Sequence, residues 1–379
     1  MSERVSRTVT VGGLKSPGGS MQTVSIGGGL PVVIQTMWKD RLSFSDLEGP
    51  SGEKTVERIR RLQAMGCALL RFAVPDLEAA EVLGNLAAMV SMPLVADIHF
   101  DYKIALRCLD FPIAKIRINP GNIGGRDRVE KVLSKAAAQG VPIRIGVNAG
   151  SLPRDLGLRV DAGELSRAEA LVGAAERELG IFDEFGFSNT LVSMKASSVA
   201  ETIRANRLLA ERTDAPLHIG VTEAGPLIAG VTRNAIALHA LLSEGLGDTI
   251  RVSLSDTMEN EVIAGREILN TAVEGSEAAR ERQGKRGGVT IISCPRCGRN
   301  SFDTHGFTQR WLDTFYAMDK TITVAVMGCA VNGPGEGRHA DLGITGAGNK
   351  ALIFRHGEVI RTIDAADADT AFREELDRV

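Results

Sequence analysis

Long apolar runs, cysteine and net positive charge are all scarce in this chain of 379 residues. Each shortage excludes a class of protein. No apolar run approaches the roughly 18 residues that suggest a membrane-spanning helix. Residues 1–30 are Gly-rich and strand-like (RTVTVGG, QTVSIGGG), without the hydrophobic core of a secretion signal. Five Cys in this length fit no disulfide framework. With 44 Lys and Arg against 47 Asp and Glu, formal charge is −3, so no overall basicity points to nucleic acid. Composition therefore implies a soluble cytoplasmic protein with no membrane contact, long enough for two domains.

What the chain does have is alternation. Short β-rich runs are expected near residues 32–37, 69–74, 94–98, 115–119, 143–148, 190–195, 217–222 and 249–254. Helical patterns such as EKTVERIRRLQAM, DRVEKVLSKAAAQ and AETIRANRLLAER lie between them. Strand and helix repeated eight times predict an α/β fold, a (β/α)₈ TIM barrel. The alternative, a doubly wound open sheet, lacks a GxGxxG after its first strand. The barrel domain with its N-terminal strands is assigned to residues 1–273. The charged, Gly-ended run 274–288 reads as a linker, and residues 289–379 as a smaller α/β domain.

Within the fourth expected strand Lys115, Arg117 and Asn119 alternate with Ile116 and Ile118. In the fifth, Arg144 and Asn148 alternate with Ile143, Ile145 and Val147. Side chains alternate faces along a strand. Helices cover a barrel's outside, so the polar set must face its axis. The same reasoning turns Arg71, Asp97 with His99, and Lys195 inward, near the strand ends where barrel active sites are built. A half-wet antiparallel sheet would also alternate, but long helical connections argue for parallel strands. Four cations from separate strands would repel one another unless an anion joined them. Arg forks and a Lys point charge suit phosphate oxygens, so the implied ligand carries two phosphates or a diphosphate. Asn119, Asn148 and the PGNIGG run offer neutral donors. Lys195 also has a Schiff-base reading, as in barrel aldolases. Glu223, in HIGVTEAG, is either a general acid or a counter-ion.

The second domain places its cysteines at strand ends. VTIIS leads to Cys294-Pro-Arg-Cys297, and TITVAVM leads to Cys329, with Asn332-Gly-Pro-Gly-Glu336 following. Three thiolates with one exchangeable position suit a [4Fe–4S] cluster, while a structural zinc knuckle is the competing reading. Cys67 and Cys108 lie in apolar surroundings and read as buried, inert thiols. A nucleic-acid-binding role for this domain is disfavoured, since it has no concentrated Lys/Arg stripe or aromatic platform. A Schiff-base lyase carrying a zinc knuckle is the rival enzyme.

Taken together, LLRFAVPD, VADIHFDYKIAL, AKIRINPGNIG, IRIGVNAGSL, VSMKAS, HIGVTEAG, SCPRCGR and MGCAVNGPGEGRHADLGI closely resemble the bacterial two-domain 4-hydroxy-3-methylbut-2-enyl diphosphate synthases. The resemblance implies a TIM barrel followed by a sulfite-reductase-like [4Fe–4S] domain. Cys294, Cys297 and Cys329 would ligate three irons and Glu336 the fourth. The implied substrate is 2-C-methyl-D-erythritol 2,4-cyclodiphosphate, reductively opened and dehydrated with two electrons from ferredoxin or flavodoxin. Glu223 and Glu336 would serve catalysis. Arg71, Asp97, His99, Arg117, Asn119, Arg144, Asn148 and Lys195 would hold substrate. A homodimer is implied, with the cluster domain of one subunit closing over its partner's barrel. Two loops depart from the family pattern: Gln35-Thr-Met-Trp-Lys39 with DRLSFSDLEGPSG, and SLSDTME after the eighth strand.

Overall fold

The β-branched runs pair into eight parallel strands, and the helices between them cover the outside. The computed structural model describes residues 4–16, 19–283, 288–330 and 333–379. It separates into two units, Met1–Lys285 and Arg286–Val379. The first begins with strand β1 (Val9–Gly12), a short ribbon of β2 (Lys15–Ser16) and β3 (Gly19–Ser20), and β4 (Thr23–Ile26), which pairs antiparallel with β1. The barrel strands are β5 (Val33–Met37), β6 (Leu69–Ala73), β7 (Leu94–Asp97), β8 (Lys115–Ile118), β9 (Ile143–Asn148), β10 (Thr190–Lys195), β11 (His218–Ile219) and β12 (Thr249–Ile250). Their spatial order is β10-β9-β8-β7-β6-β5-β12-β11, and a parallel bridge between Val192 and Leu217 brings the two ends together.

Residues of β7, β8 and β10 are buried on both faces, as packing outside and inside a barrel requires. Val9, Val11, Met21 and Ile26 from the N-terminal hairpin pack on Val33, Leu69, Val95 and Leu191. Those barrel residues lie at or near the starts of their strands, so the hairpin plugs the end opposite the expected site. Helix starts follow local rules: Ser166 and Glu169 form a reciprocal capping box, and Asp76 caps Leu77–Met89.

Two expectations change. The strands read at 217–222 and 249–254 shrink to two paired residues each: the chain leaves the ladder at Gly220 after the first and runs on without strand pairing from Arg251 after the second. The expected linker is largely helical: Met258–Gly275 is followed by Glu277–Gln283, while 284–287 lie outside the described residues. One of its charges, Arg282, is used rather than solvated. Arg282 donates to the carbonyls of Leu30, Gly245 and Gly247 and pairs with Asp248, and Gln283 accepts from the Val32 N–H. Among the described residues, no helix is long and apolar enough to cross a membrane.

The second unit is a five-stranded sheet in sequence order: β13 (Val289–Ser293), β14 (Ile322–Met327), β15 (Leu342–Ala347), β16 (Lys350–Arg355) and β17 (Glu358–Asp364). The first three run parallel and the last two antiparallel. Phe302, Phe307, Trp311, Phe315 and Phe372 form its core in stacked and edge-on pairs. The domain's aromatic side chains are thus spent inside.

Candidate active site

Strand register turns the polar set inward as the alternation implied. Asp97, at the end of β7, is 3% exposed and sits between two guanidinium groups. Arg117 Nη1 approaches its Oδ1 at 3.1 Å, and Arg71 Nε approaches its Oδ2 at 3.5 Å. Arg117 Nη1 also lies 2.8 Å from His99 Nε2, and half-exposed His99 stands 4.0 Å from Asp97. Gly146 makes room for this arrangement. A Cβ there would fall 2.3 Å from Arg117 Nε, so only Gly lets the guanidinium lie across β9. Two of the four expected phosphate cations are therefore partly engaged by one carboxylate. Burial would raise the Asp97 carboxyl, but Arg71 and Arg117 more than offset that and hold it below the ordinary range. Burial brings Arg71 down to about 10, which leaves it charged at neutral pH.

Arg144 and Lys195 have no carboxylate partner among the described residues. Arg144 is 1% exposed; Nη1 donates to Ser193 Oγ at 2.6 Å, while Nε and Nη2 have no hydrogen-bond partner. Burial, with the charges of Arg144 and Arg71, pushes the Lys195 amine well below its usual value.

Several residues here were not singled out as site residues from sequence. Lys115 is fully buried with no partner for Nζ, and burial and Arg144 hold its amine well down. His218, also fully buried, pairs Nδ1 with Thr249 Oγ1 at 2.5 Å and leaves Nε2 unpartnered. The Gln35 amide is buried and unpartnered at both atoms. Arg251 faces the same mouth, since its charge lowers Arg71, Arg144 and Lys195. Its signal was present: Arg251 alternates with Ile250 and Val252 as Arg117 does with its neighbours.

Other expected residues lie at the margin. Asn119 precedes the short helix Pro120–Ile123 and is half-buried, as is Asn148 at the end of β9. Glu223 is exposed at a turn with φ 51°, a left-handed backbone uncommon outside Gly. The structure gives it no hydrogen bond to the cation set.

In the second unit, pairing of Ser293 with Val326 puts Cys294 and Cys329 just beyond the ends of adjacent parallel strands. Cys294 N donates to Val326 O at 2.9 Å, and Asn300 N to Cys297 O at 3.0 Å. Arg296 adopts φ 69° within the CPRC turn. Cys329 is buried, Cys294 half-buried, and Cys297 exposed. Gly328 lets Asn300 pack close beside them: a Cβ there would fall 2.3 Å from Asn300 Oδ1 and 3.5 Å from Cys294 Sγ. Glu336 is exposed and ends the short helix Gly333–Glu336. Among the described residues, no three His, Cys, Asp or Glu side chains form a group able to hold a metal ion. The buried Cys67 and Cys108 are of a different kind; burial pushes both thiols up to about 12.

Fold and site together define a (β/α)₈ protein with a cationic mouth and a separate thiol-bearing α/β unit. The chain belongs to the GcpE family: the GcpE TIM-barrel domain matches residues 19–266 and the GcpE C-terminal domain residues 290–378. A relative from Treponema pallidum, 49% identical across 98% of this chain and 91% of its own, is named 4-hydroxy-3-methylbut-2-en-1-yl diphosphate synthase (flavodoxin). Relatives of the same name from Treponema denticola and Geobacter sulfurreducens are 47% and 42% identical. They match 99% and 94% of this chain, and 99% and 95% of their own.

Proposed function

We propose that this protein opens and dehydrates 2-C-methyl-D-erythritol 2,4-cyclodiphosphate to 4-hydroxy-3-methylbut-2-en-1-yl diphosphate. The observation that carries the reading is the barrel mouth, where, among the described residues, Arg71, Arg117, Arg144, Arg251 and Lys195 face two buried carboxylates, Asp97 and Glu261. Such a site is completed by a ligand bearing two negative phosphates. The reaction takes up two electrons and two protons; the ring C–O bond to phosphate breaks and a hydroxyl departs as water. Arg144 and Lys195 bind the phosphates, and Asp97 fixes the planes of Arg71 and Arg117. Glu223 supplies a proton to the departing hydroxyl.

The electrons require a cofactor. Cys294, Cys297 and Cys329 are assigned as ligands of a [4Fe–4S] cluster, with Glu336 on the fourth iron. Supporting this are Cys294 and Cys329 just beyond two adjacent strand ends, with Cys297 in the turn that follows Cys294. Asn300 adds an amide whose Oδ1 is buried and unpartnered; turned over, it would donate to a thiolate. When bound, the cluster supplies electrons and a Lewis-acid position for a substrate oxygen. The relatives' names support flavodoxin as donor, with ferredoxin the alternative. A lyase with Lys195 as nucleophile is not favoured, because the relatives are named for a redox partner.

Anaerobic purification with iron, sulfide and zinc analysis, followed by product detection, tests the reading. Iron with acid-labile sulfide and formation of the linear diphosphate support it; a colourless zinc protein refutes it. We also propose a homodimer in which the thiol unit of one copy covers its partner's barrel. A Cys329→Ser copy mixed with an Arg144→Lys copy should then regain activity, and no recovery refutes the arrangement.

A further inference from the structure

One carboxylate joins the loops that follow the first and last barrel strands. Glu261 lies in the first turn of helix Met258–Gly275 and is 1% exposed. Its Oε2 accepts from Thr36 Oγ1 at 2.6 Å and Arg251 Nε at 3.2 Å. Its Oε1 accepts from Arg251 Nη2 at 3.1 Å, the Leu254 N–H at 3.0 Å and Lys39 Nζ. Lys39 Nζ also donates to Leu254 O at 3.0 Å, so the two loops are tied twice. A carboxylate has about four lone-pair positions, and these are filled. Burial would raise this carboxyl, yet Arg251 and Lys39 outweigh it and hold it below the ordinary range.

We propose that Glu261 is a positioning residue that joins these loops and aims Arg251 at the bound diphosphate. This rests on the anion-binding reading of the mouth. Nε and Nη2 of Arg251 together fork onto Glu261, which fixes the plane of the guanidinium as well as its place. Without the fork the long side chain regains rotamer freedom, and ordering it again opposes ligand binding. Glu261 also faces Thr36 on β5, so the first strand's end moves with the last strand's loop. The arrangement keeps one cation of the mouth oriented before any ligand enters, the condition under which a charged hydrogen bond contributes fully.

The test is calorimetric titration of the cyclic diphosphate into anaerobic holoenzyme, with KM and kcat measured alongside. Glu261→Gln should weaken binding roughly tenfold, about one charged hydrogen bond, with KM changed more than kcat. Arg251→Met should weaken it similarly, and the double variant should be no weaker than Arg251→Met alone. Glu261→Asp, which keeps the charge, should recover part of the loss. Lys39→Met breaks one arm of the clamp and serves if Glu261→Gln fails to fold; it should weaken binding, again non-additively with Arg251→Met. A merely structural Glu261 would lower the melting temperature while leaving affinity unchanged, or would give additive losses with Arg251→Met; either overturns the proposal. Arg144→Lys separates the two readings. Loss there without loss in Arg251→Met removes the Glu261 proposal alone, and loss in neither removes the anion site as well.

Discussion

Replacing Arg144 with Lys keeps a formal cation and removes the fork. Arg144 is 1% exposed, anchored by Nη1 to Ser193 Oγ, with Nε and Nη2 otherwise unmatched. Those two donors are the ones a phosphate would take. A hydrogen bond to a charged group contributes about 1.5–3 kcal/mol, so losing one weakens the cyclic diphosphate roughly 10- to 100-fold. The introduced amine brings a second effect. Burial and neighbouring cations push both amines already present, Lys115 and Lys195, well below their usual value. An amine in the place of Arg144 should therefore be charged only when pH is low. Its folded pKa falls below its unfolded one, so the charged, binding-competent form is lost as pH rises through the folded value. The affinity gap between wild type and Arg144→Lys should widen from pH 6.5 to pH 8.5. Calorimetric titration at the two values measures it. An unchanged Kd would refute the assignment of Arg144 as a phosphate fork, and a deficit equal at both pH values would show that the introduced amine does not titrate between them.

Three further outcomes are expected. Cys294→Ser, Cys297→Ser and Cys329→Ser should each lose iron, whereas Cys67→Ala and Cys108→Ala retain it, since their buried thiols titrate only near 12; a full iron complement in any of the first three removes the ligand assignment. Glu336→Ala should assemble a less stable cluster, and Glu336→Cys a firmer one with slow turnover, because a carboxylate is a harder and more readily exchanged ligand than a thiolate. Spectra with and without substrate check this, and normal turnover by Glu336→Cys would contradict it. Gly146→Ala should displace the Arg117 guanidinium at modest cost to stability, since the displaced atoms end a flexible side chain, and should weaken substrate binding about tenfold, one charged contact. Unaltered affinity there would show that Arg117 does not need its place across β9.

Much of this protein was legible in one dimension because a strand's period is two. Once helices must lie outside, the aliphatic members of Lys115–Ile118 and Ile143–Asn148 can only face them, and Arg117 and Arg144 can only face the axis. The cysteines were legible too, since Cys294 and Cys329 each end a β-branched run. Other features needed the third dimension. Glu261 reads in sequence as an acidic residue in a helix's first turn, indistinguishable from a solvated helix cap, until barrel closure brings β12 beside β5. Gln35, Lys115 and His218 Nε2 acquire their unpartnered burial in the same way, because the depth of a side chain along the axis depends on the stagger between strands. The helix Glu277–Gln283 was hidden by its charge, and only the carbonyls of Leu30, Gly245 and Gly247 show where Arg282 goes. Facing direction is a local property of the chain and travels with the sequence; which faces meet, and at what depth, is a property of the closed sheet.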